Sequence, residues 1–467
     1  MTAPAARPDS PVSIVSILAL ALPSGAVFLL ASLVGIFMIR IAATLGPDAV
    51  VAVNAGTRLY NVFLAIAAGI NAGTLALIAN AWGAGRREEA NQLLGIALGL
   101  GAALGVALTA LTWVAAPALI GLFGLDAGAY AESLAYARWM TLFFAPMAVF
   151  MVLATSLRAA GDARTPVLFS LLTNGLCVVL AWHWSNDPPF GLQPHVRFIA
   201  IGLGLGNLCG TALAFAAWHR SLLLLKRTRP DGRYRERVAA LWKLGYPAAL
   251  EQGFLQGGVI AFLWVVAHHG AAAFAAYGTG VSLLSLAMVI GFGFSIAVSV
   301  LVGQQIGAGS IANARLVTIR ALRVTVVVLT APGLLLAWYA LPVALWLSGD
   351  QAIAEHTVLV IYSFTAILPM LAVEFCLGGA LRGAGDTRFP LLNVIMGLIV
   401  VRFGLALVLD RFGFPVGWIY ATLVADYAVK NVLLVWRFRS DRWMKLLPAS
   451  TAVPAAIISP DRLHPEQ

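Results

Sequence analysis

Residues 156–166 read SLRAAGDARTP, and residues 380–390 read ALRGAGDTRFP. The copies lie 224 residues apart and share Leu, Arg, the Ala-Gly-Asp core, a second Arg and the closing Pro. Each sits between two long apolar runs, so each reads as a polar hinge between membrane helices. The same offset pairs Pro23 with Pro247, Gly46 with Gly270, Gly56 with Gly280, and Gly83-Ala84-Gly85 with Gly307-Ala308-Gly309. Pro146 and Pro369 join the series after a one-residue slip. The chain is a duplication, and the repeat is about half its length.

The composition agrees with a membrane protein. Apolar residues make up 61% and charged residues 11%, and the mean hydropathy is +0.89. A soluble chain carries about 25% charged residues, and many runs here reach the ~20 apolar residues that cross a bilayer. The net charge of +10 comes from loop residues, which the membrane explains better than nucleic acid does. Cys177, Cys209 and Cys376 lie inside apolar runs without metal-ligand spacing, and they read as small packed side chains. The polar first dozen residues precede a run too long for a signal-peptide core.

Twelve helices are expected: 14–38, 49–80, 92–116, 130–156, 165–184, 198–222, 240–266, 273–304, 313–346, 355–379, 389–410 and 416–438. Most of the 30 Lys and Arg residues fall in alternate loops, which places both termini in the cytoplasm. Only Arg197 and Arg411 lie clearly in outside loops. Six helices per half put the repeat axis along the membrane normal. The fold class is therefore all-α and polytopic, with two six-helix bundles. The expected organisation is an N-terminal lobe (1–225), a basic linker (226–239), a C-terminal lobe (240–440) and a tail (441–467).

The hinge has a local account. Gly161 and Gly385 permit backbone angles closed to other residues. Asp162 and Asp386 accept bonds from turn amides. Pro166 and Pro390 suit the first turn of the next helix. Arg158 and Arg382, with the later arginines, are expected to hold the loop at the cytoplasmic surface.

With two hinges and two Gly-Ala-Gly turns in register, the chain resembles the multidrug and toxic compound extrusion family of secondary transporters. The resemblance covers nearly the whole length. It rests on the hinges, on WGAGRREEANQLLG (82–95), on AAYGTG (275–280) with LVGQQIGAG (301–309), on VRFGLA (401–406) and on LLVWRFRSDRW (433–443). It implies two facing bundles around a central cleft, alternating access, and export of organic solutes against entry of protons or sodium ions. Many members carry an Asp in helix 1 and a polar set in helix 5. Here Met38 stands at the first position. Asn174 keeps one polar position, but Cys177 and Ala181 replace others, so an N-lobe proton site is in doubt.

Ionisable groups deep in a membrane are costly and mark function by default. The N-terminal half offers Arg58 in helix 2, which would face the cleft. The C-terminal half offers Glu251 beside Gln252 in helix 7, Glu374 in helix 10, Arg402 in helix 11, and Asp426 with Lys430 in helix 12. Asp426 and Lys430 are four apart and share a helix face. Three carboxylates thus meet two cations. If Asp426 pairs with Lys430 and Glu374 with Arg402, Glu251 is left alone. A carboxyl without a partner in low dielectric favours its neutral form, as proton coupling requires. Glu251, Glu374 and Asp426 are the candidate coupling residues, and Arg402 and Lys430 the candidate structural ion-pair members. A structural hydrogen bond remains the other reading of Glu251. Gln252, Tyr277, Asn54, Arg58 and Asn174 are the candidate cleft residues.

Other features carry less. His268 and His269 read as solvated loop residues or a pH sensor. The run at 202–207 fails the dinucleotide pattern at Asn207 and lies within a helix. No metal cluster, P-loop or nucleophile triad is present in the sequence, so no enzyme chemistry and no cofactor is expected beyond the transported H+ or Na+. The expected function is a proton-coupled exporter of amphipathic, cationic or zwitterionic compounds, acting as a monomer in lipid of a bacterial inner membrane. The alternative is a flippase for lipids or lipid-linked sugars. A cleft with one acid favours the exporter; several inward arginines favour the flippase.

Overall fold

The computed structural model describes residues 13–228 and 232–445. The polar first twelve residues, positions 229–231 of the linker and the tail beyond 445 lie outside the described residues. The first lobe contains α1 (Ile14–Leu45), α2 (Pro47–Gly83), α3 (Arg87–Gly121), α4 (Ala127–Thr141), α5 (Phe144–Ala159), α6 (Arg164–Asn186) and α7 (Val196–His219). The second contains α8 (Tyr234–Ala267), α9 (Ala271–Gly307), α10 (Ile311–Trp338), α11 (Ala340–Ser348) and α12 (Gln351–Gly383). It ends with α13 (Arg388–Val394), a π-helical stretch (Ile395–Phe403), α14 (Gly404–Arg411) and α15 (Val416–Arg439). Among the described residues there is no strand. Eleven helices are long and apolar enough to cross a membrane, or twelve if the bent α4–α5 pair is one span.

The repeat is visible in the helix ends. α2 and α9 start and stop at positions 224 residues apart. The four polar turns also close in one way. Asp162 and Asp386 donate their amides to Leu157 and Leu381 carbonyls at 2.9 and 2.8 Å. Arg86 and Ser310 do the same to Ala81 and Gln305, both at 2.9 Å. This six-to-one bond needs a left-handed residue just before the donor, and glycine supplies it at Gly85, Gly161, Gly309 and Gly385, all with positive φ. Asp162 and Asp386 then accept the amides of Thr165 and Phe389, starting the next helix.

Three spans depart from the expected single helices. The fourth breaks between α4 and α5 with a bend of 50°. Pro146, in the first turn of α5, has no N–H to offer the Leu142 carbonyl one turn earlier. The ninth breaks at Tyr339, where Pro342 cannot serve the Trp338 carbonyl. The eleventh contains the π-helical stretch, whose wider winding is typical of functional sites. α8 begins at Tyr234, six residues before the expected 240, so Glu251 lies midway along it.

Six spans per half bring both hinges, both Gly-Ala-Gly turns and the first and last described residues to one end, the hinge end. There the lobes touch through small residues, which let backbones approach closely. A Cβ on Gly69 of α2 would lie 2.7 Å from the Gly245 carbonyl of α8, and one on Gly73 would lie 2.8 Å from that of Leu241. A Cβ on Gly293 of α9 would lie 2.5 Å from the Ala21 carbonyl of α1. Gln304 of α9 donates to the Ala159 carbonyl of the first hinge at 2.8 Å.

Candidate functional site

Residues on one helix face recur every three to four positions. The face of α2 that carries Gly73 and Gly69 continues toward the far end through Val62 and Arg58. Both are exposed, and Val62 is 59% so. The matching face of α8 continues from Gly245 through Gln252, half-buried, to exposed Gln256. On α9 it runs from Gly293 through exposed Leu286 and Ser282, and on α1 from Gly25 to exposed Ser32 and Ile36. α2 packs against α1, α3, α4 and α5 of its own lobe and against α8 and α9 of the other. An uncovered stripe on such a helix looks into the gap between lobes. The seam is therefore shut at the hinge end and open at the far end. Phe28 of α1 and Phe292 of α9 stack at 5.4 Å across the level where it opens.

The structure brings Arg58 and Gln252 to this cleft. Asn54 is exposed one turn beyond Arg58, and its amide donates to its own helix at Val50 O. Asn174 is half-buried on α6 and is not part of the α1–α2–α8–α9 seam. Tyr277 corrects the expectation. It is buried at 3% exposure, with Phe262, Phe364 and Tyr420 around its ring at 5.4–6.3 Å. Its place on α9 turns it into the second lobe, away from the gap. Gln256, Ser282 and the Phe28–Phe292 stack were missed by sequence reasoning. For Gln256 the signal was its spacing of one turn from Gln252.

The second lobe holds the ionisable groups, and their pairing differs from the expected one. Arg402 Nη2 lies 2.5 Å from Asp426 Oδ2. Lys430 Nζ lies 3.3 Å from Asp426 Oδ1 and 3.6 Å from Glu374 Oε1. Arg402 and Lys430 also face the Tyr427 ring at 5.4 and 4.8 Å. Asp426 and Lys430 do pair, but Glu374 does not take Arg402. Glu251 is not alone: Arg382 Nη2 lies 2.5 Å from its Oε1. Arg382 Nη1 also donates to Ser295 Oγ of α9 at 3.4 Å. The three carboxylates therefore meet three cations.

The third cation is the hinge arginine expected at the surface. Helical side chains lean toward the helix N-terminus. Arg382 stands at the C-terminal end of α12, so its lean carries it into the lobe. Gly378, one turn back, leaves it room, with a Cβ there 3.4 Å from Nη1. Arg158 is buried in the same way, at 9% exposure, and donates to Thr155 Oγ1 at 3.0 Å. The repeat places Val27 where the second half has Glu251, so Arg158 meets no equivalent acid. Asp386 adds another pair, with Arg437 Nε at 2.8 Å.

The π-helical stretch makes the network possible. A Cβ on Gly397 would overlap Asp426 Oδ1 and the Lys430 side chain. The extra residue per turn also aims Arg402 inward, where it is 6% exposed. Among the described residues no group of three or more His, Cys, Asp or Glu side chains could hold a metal ion. Cys177 and Cys376 are buried, Cys209 is exposed, and none is paired.

The family model MatE matches residues 23–183 and 247–408, one copy per half. A probable multidrug resistance protein NorM of Thermotoga maritima is 28% identical over 381 residues, covering 80% of this chain and 81% of that protein. A solved MOP superfamily transporter from Pyrococcus furiosus, described as having a binding pocket of reverse polarity that suggests a different function, superposes with a TM-score of 0.84. It is 20% identical and covers 92% of this chain and 96% of its own. A second solved structure, an outward-facing conformation of a multidrug resistance transporter of the same superfamily, gives 0.83 at 21% identity, covering 92% and 96%. At these identities the two structures show the fold.

Proposed function

Since the chain belongs to the MatE family, whose members are transporters and not enzymes, we propose that it exports small organic amphiphiles by alternating access in exchange for protons. The observation that carries this reading is the seam, closed at the hinge end and open at the far end. A carrier needs such a gap and a second state in which the closure is reversed. The NorM relative is named for multidrug resistance, which supports a broad range of organic cargo here.

The hinge end is read as cytoplasmic and the open cleft as facing outside a bacterial inner membrane, a reading that the loop charges support. The first lobe and the second, which begins with α8 at Tyr234, then move as two bodies joined by the basic linker, within a monomer embedded in lipid. The flippase reading needs several arginines in the cleft. The described seam faces carry one arginine within the cleft, Arg58, and one at its mouth, Arg40.

Coupling runs through the second lobe, and its entry point is Glu251. A proton on Glu251 removes the charge that holds Arg382. Arg382 also touches Ser295, two residues from Gly293 of the α1–α9 seam. Protonation at mid-lobe thereby loosens Arg382 from α9, the helix whose other face closes the seam at Gly293. Glu374, already against Lys430, is the acid that receives the displaced positive charge, and Asp426 stays locked between Arg402 and Lys430. Purified protein in proteoliposomes tests the reading: flux of a fluorescent amphiphile should follow an imposed pH gradient and ignore a sodium gradient. Flux that follows sodium alone would retain the carrier and reject the proton.

A further inference from the structure

The cleft wall carries a positive group and no negative one to balance it. Arg58 lies on the face of α2 that looks into the gap, exposed and without an ion pair or hydrogen bond among the described residues. The neighbouring positions on the seam faces are neutral: Gln252 and Gln256 on α8, Ser282 and Leu286 on α9, and Ser32 on α1. The hydroxyls of Ser32 and Ser282 donate to Phe28 and Gly278 carbonyls of their own helices.

Acids do not offset it. Among the described residues the spans carry three acids away from their ends, and all three are bound to cations inside the second lobe. Acids at the far end stand at helix ends rather than on the seam faces: Asp48 opens α2 and lies against Gly128 of α4, Asp126 caps α4, and Glu355 is near the start of α12. Asp410 lies between His268 and His269 at 3.1 and 3.2 Å, and Glu132 lies 3.5 Å from His195. Arg40, exposed near the far end of α1, adds positive charge at the mouth.

From this balance we infer that the cleft takes an anionic or zwitterionic amphiphile, its carboxylate or phosphate held by Arg58. The inference rests on the cleft being the transport site. A guanidinium grips an oxyanion through paired N–H donors. In a cleft with low-dielectric walls the lone cation draws anions in and repels cations. The amides of Gln252 and Gln256 offer donors and acceptors to the polar part of the cargo. Exposed Leu286, Val62 and Ile36 offer apolar area. The sign is opposite to that of a lipophilic cation.

The test uses two dyes with one ring system and opposite charge, fluorescein and rhodamine 6G. Their binding is read by fluorescence anisotropy against the full chain in phosphatidylcholine nanodiscs, with empty discs subtracted. Wild type should bind fluorescein and not rhodamine 6G. Arg58→Gln should weaken fluorescein about tenfold, Arg58→Lys should keep most of it, and Arg58→Glu should turn the preference to rhodamine 6G. Arg58 is exposed and makes no hydrogen bond or ion pair among the described residues, so these variants keep the fold, and an unchanged melting temperature checks that. Flavin mononucleotide in place of fluorescein separates a phosphate from a carboxylate cargo. Displacement of either dye by added phosphatidylglycerol would place the oxyanion on a lipid headgroup and support the same recognition. Tighter binding of rhodamine 6G by wild type, or indifference of both dyes to residue 58, overturns the inference. Binding needs no gradient, so a protein that binds the anion yet moves nothing in proteoliposomes keeps this inference and loses the export reading.

Discussion

Arg382, at the last turn of α12, places Nη2 2.5 Å from Oε1 of Glu251, midway along α8. One end of this pair is set by the hinge motif and the other by an acid in the middle of the lobe. The pair joins the polar turn to the membrane interior, and Ser295 extends it to α9.

The two partners are not equivalent. Glu251 is 3% exposed, while the Arg382 side chain is 27% exposed. Arg382→Ala leaves a buried carboxylate without a partner, a loss of about 3 kcal/mol. Glu251→Gln keeps a hydrogen-bond acceptor and leaves the cation partly wetted, so it should cost less. Thermal unfolding in one detergent, at matched pH, should rank Arg382→Ala below Glu251→Gln. The reverse order would contradict this asymmetry between the partners.

Gly397 is the space that the Asp426–Lys430–Arg402 network occupies. Gly397→Ala should cost about 1–3 kcal/mol through overpacking, read as a lower melting temperature. Gly404→Ala, on the same span, meets nothing closer than the Ile399 carbonyl at 3.7 Å and should be near neutral. Equal losses at both positions would show that the π-helical stretch yields to an added methyl.

Gly245 controls the closed end. A Cβ there would lie 2.8 Å from the Gly69 carbonyl, which is backbone and cannot swing aside. Gly245→Ala should wedge α2 from α8 and favour the state open at the hinge end. Spin labels on the Gly83–Gly85 and Gly307–Gly309 turns should then report a longer distance than in wild type. An unchanged distance would show that the lobes are held elsewhere.

The duplication was readable because its marks are Gly, Pro and hinge residues whose backbone roles leave few substitutes. Most span ends were readable to within a few residues because charges gather outside the membrane, but α8 reaches six residues back into the basic stretch and α1 runs seven residues past its expected end. The breaks were not. Pro23, Pro117, Pro247, Pro332 and Pro369 sit inside continuous helices, whereas Pro146 and Pro342 follow interruptions. Proline alone does not say which will happen, because neighbouring helices can satisfy a freed carbonyl. The site was legible as a list of charged residues and not as pairs. The acids Glu251, Glu374 and Asp426 could be named from their place in apolar runs. Their partners depend on which helices are neighbours and on the lean of side chains at helix ends. The surplus of one carboxylate over the counted cations was the available clue to Arg382. Tyr277 was misplaced because the face of α9 that meets the cleft is fixed by packing at Gly293, not by polarity.

The central claim is that cargo moves against protons that enter at Glu251. It is tested in proteoliposomes with an imposed pH gradient, following efflux of one fluorescent substrate by wild type and Glu251→Gln at equal protein content. Wild type should accelerate with the gradient. Glu251→Gln should still bind substrate but move it at one rate whatever the gradient. A Glu251→Gln protein that responds to the gradient as wild type does would contradict the account, leaving Glu251 as a structural partner of Arg382 and moving the coupling to Glu374.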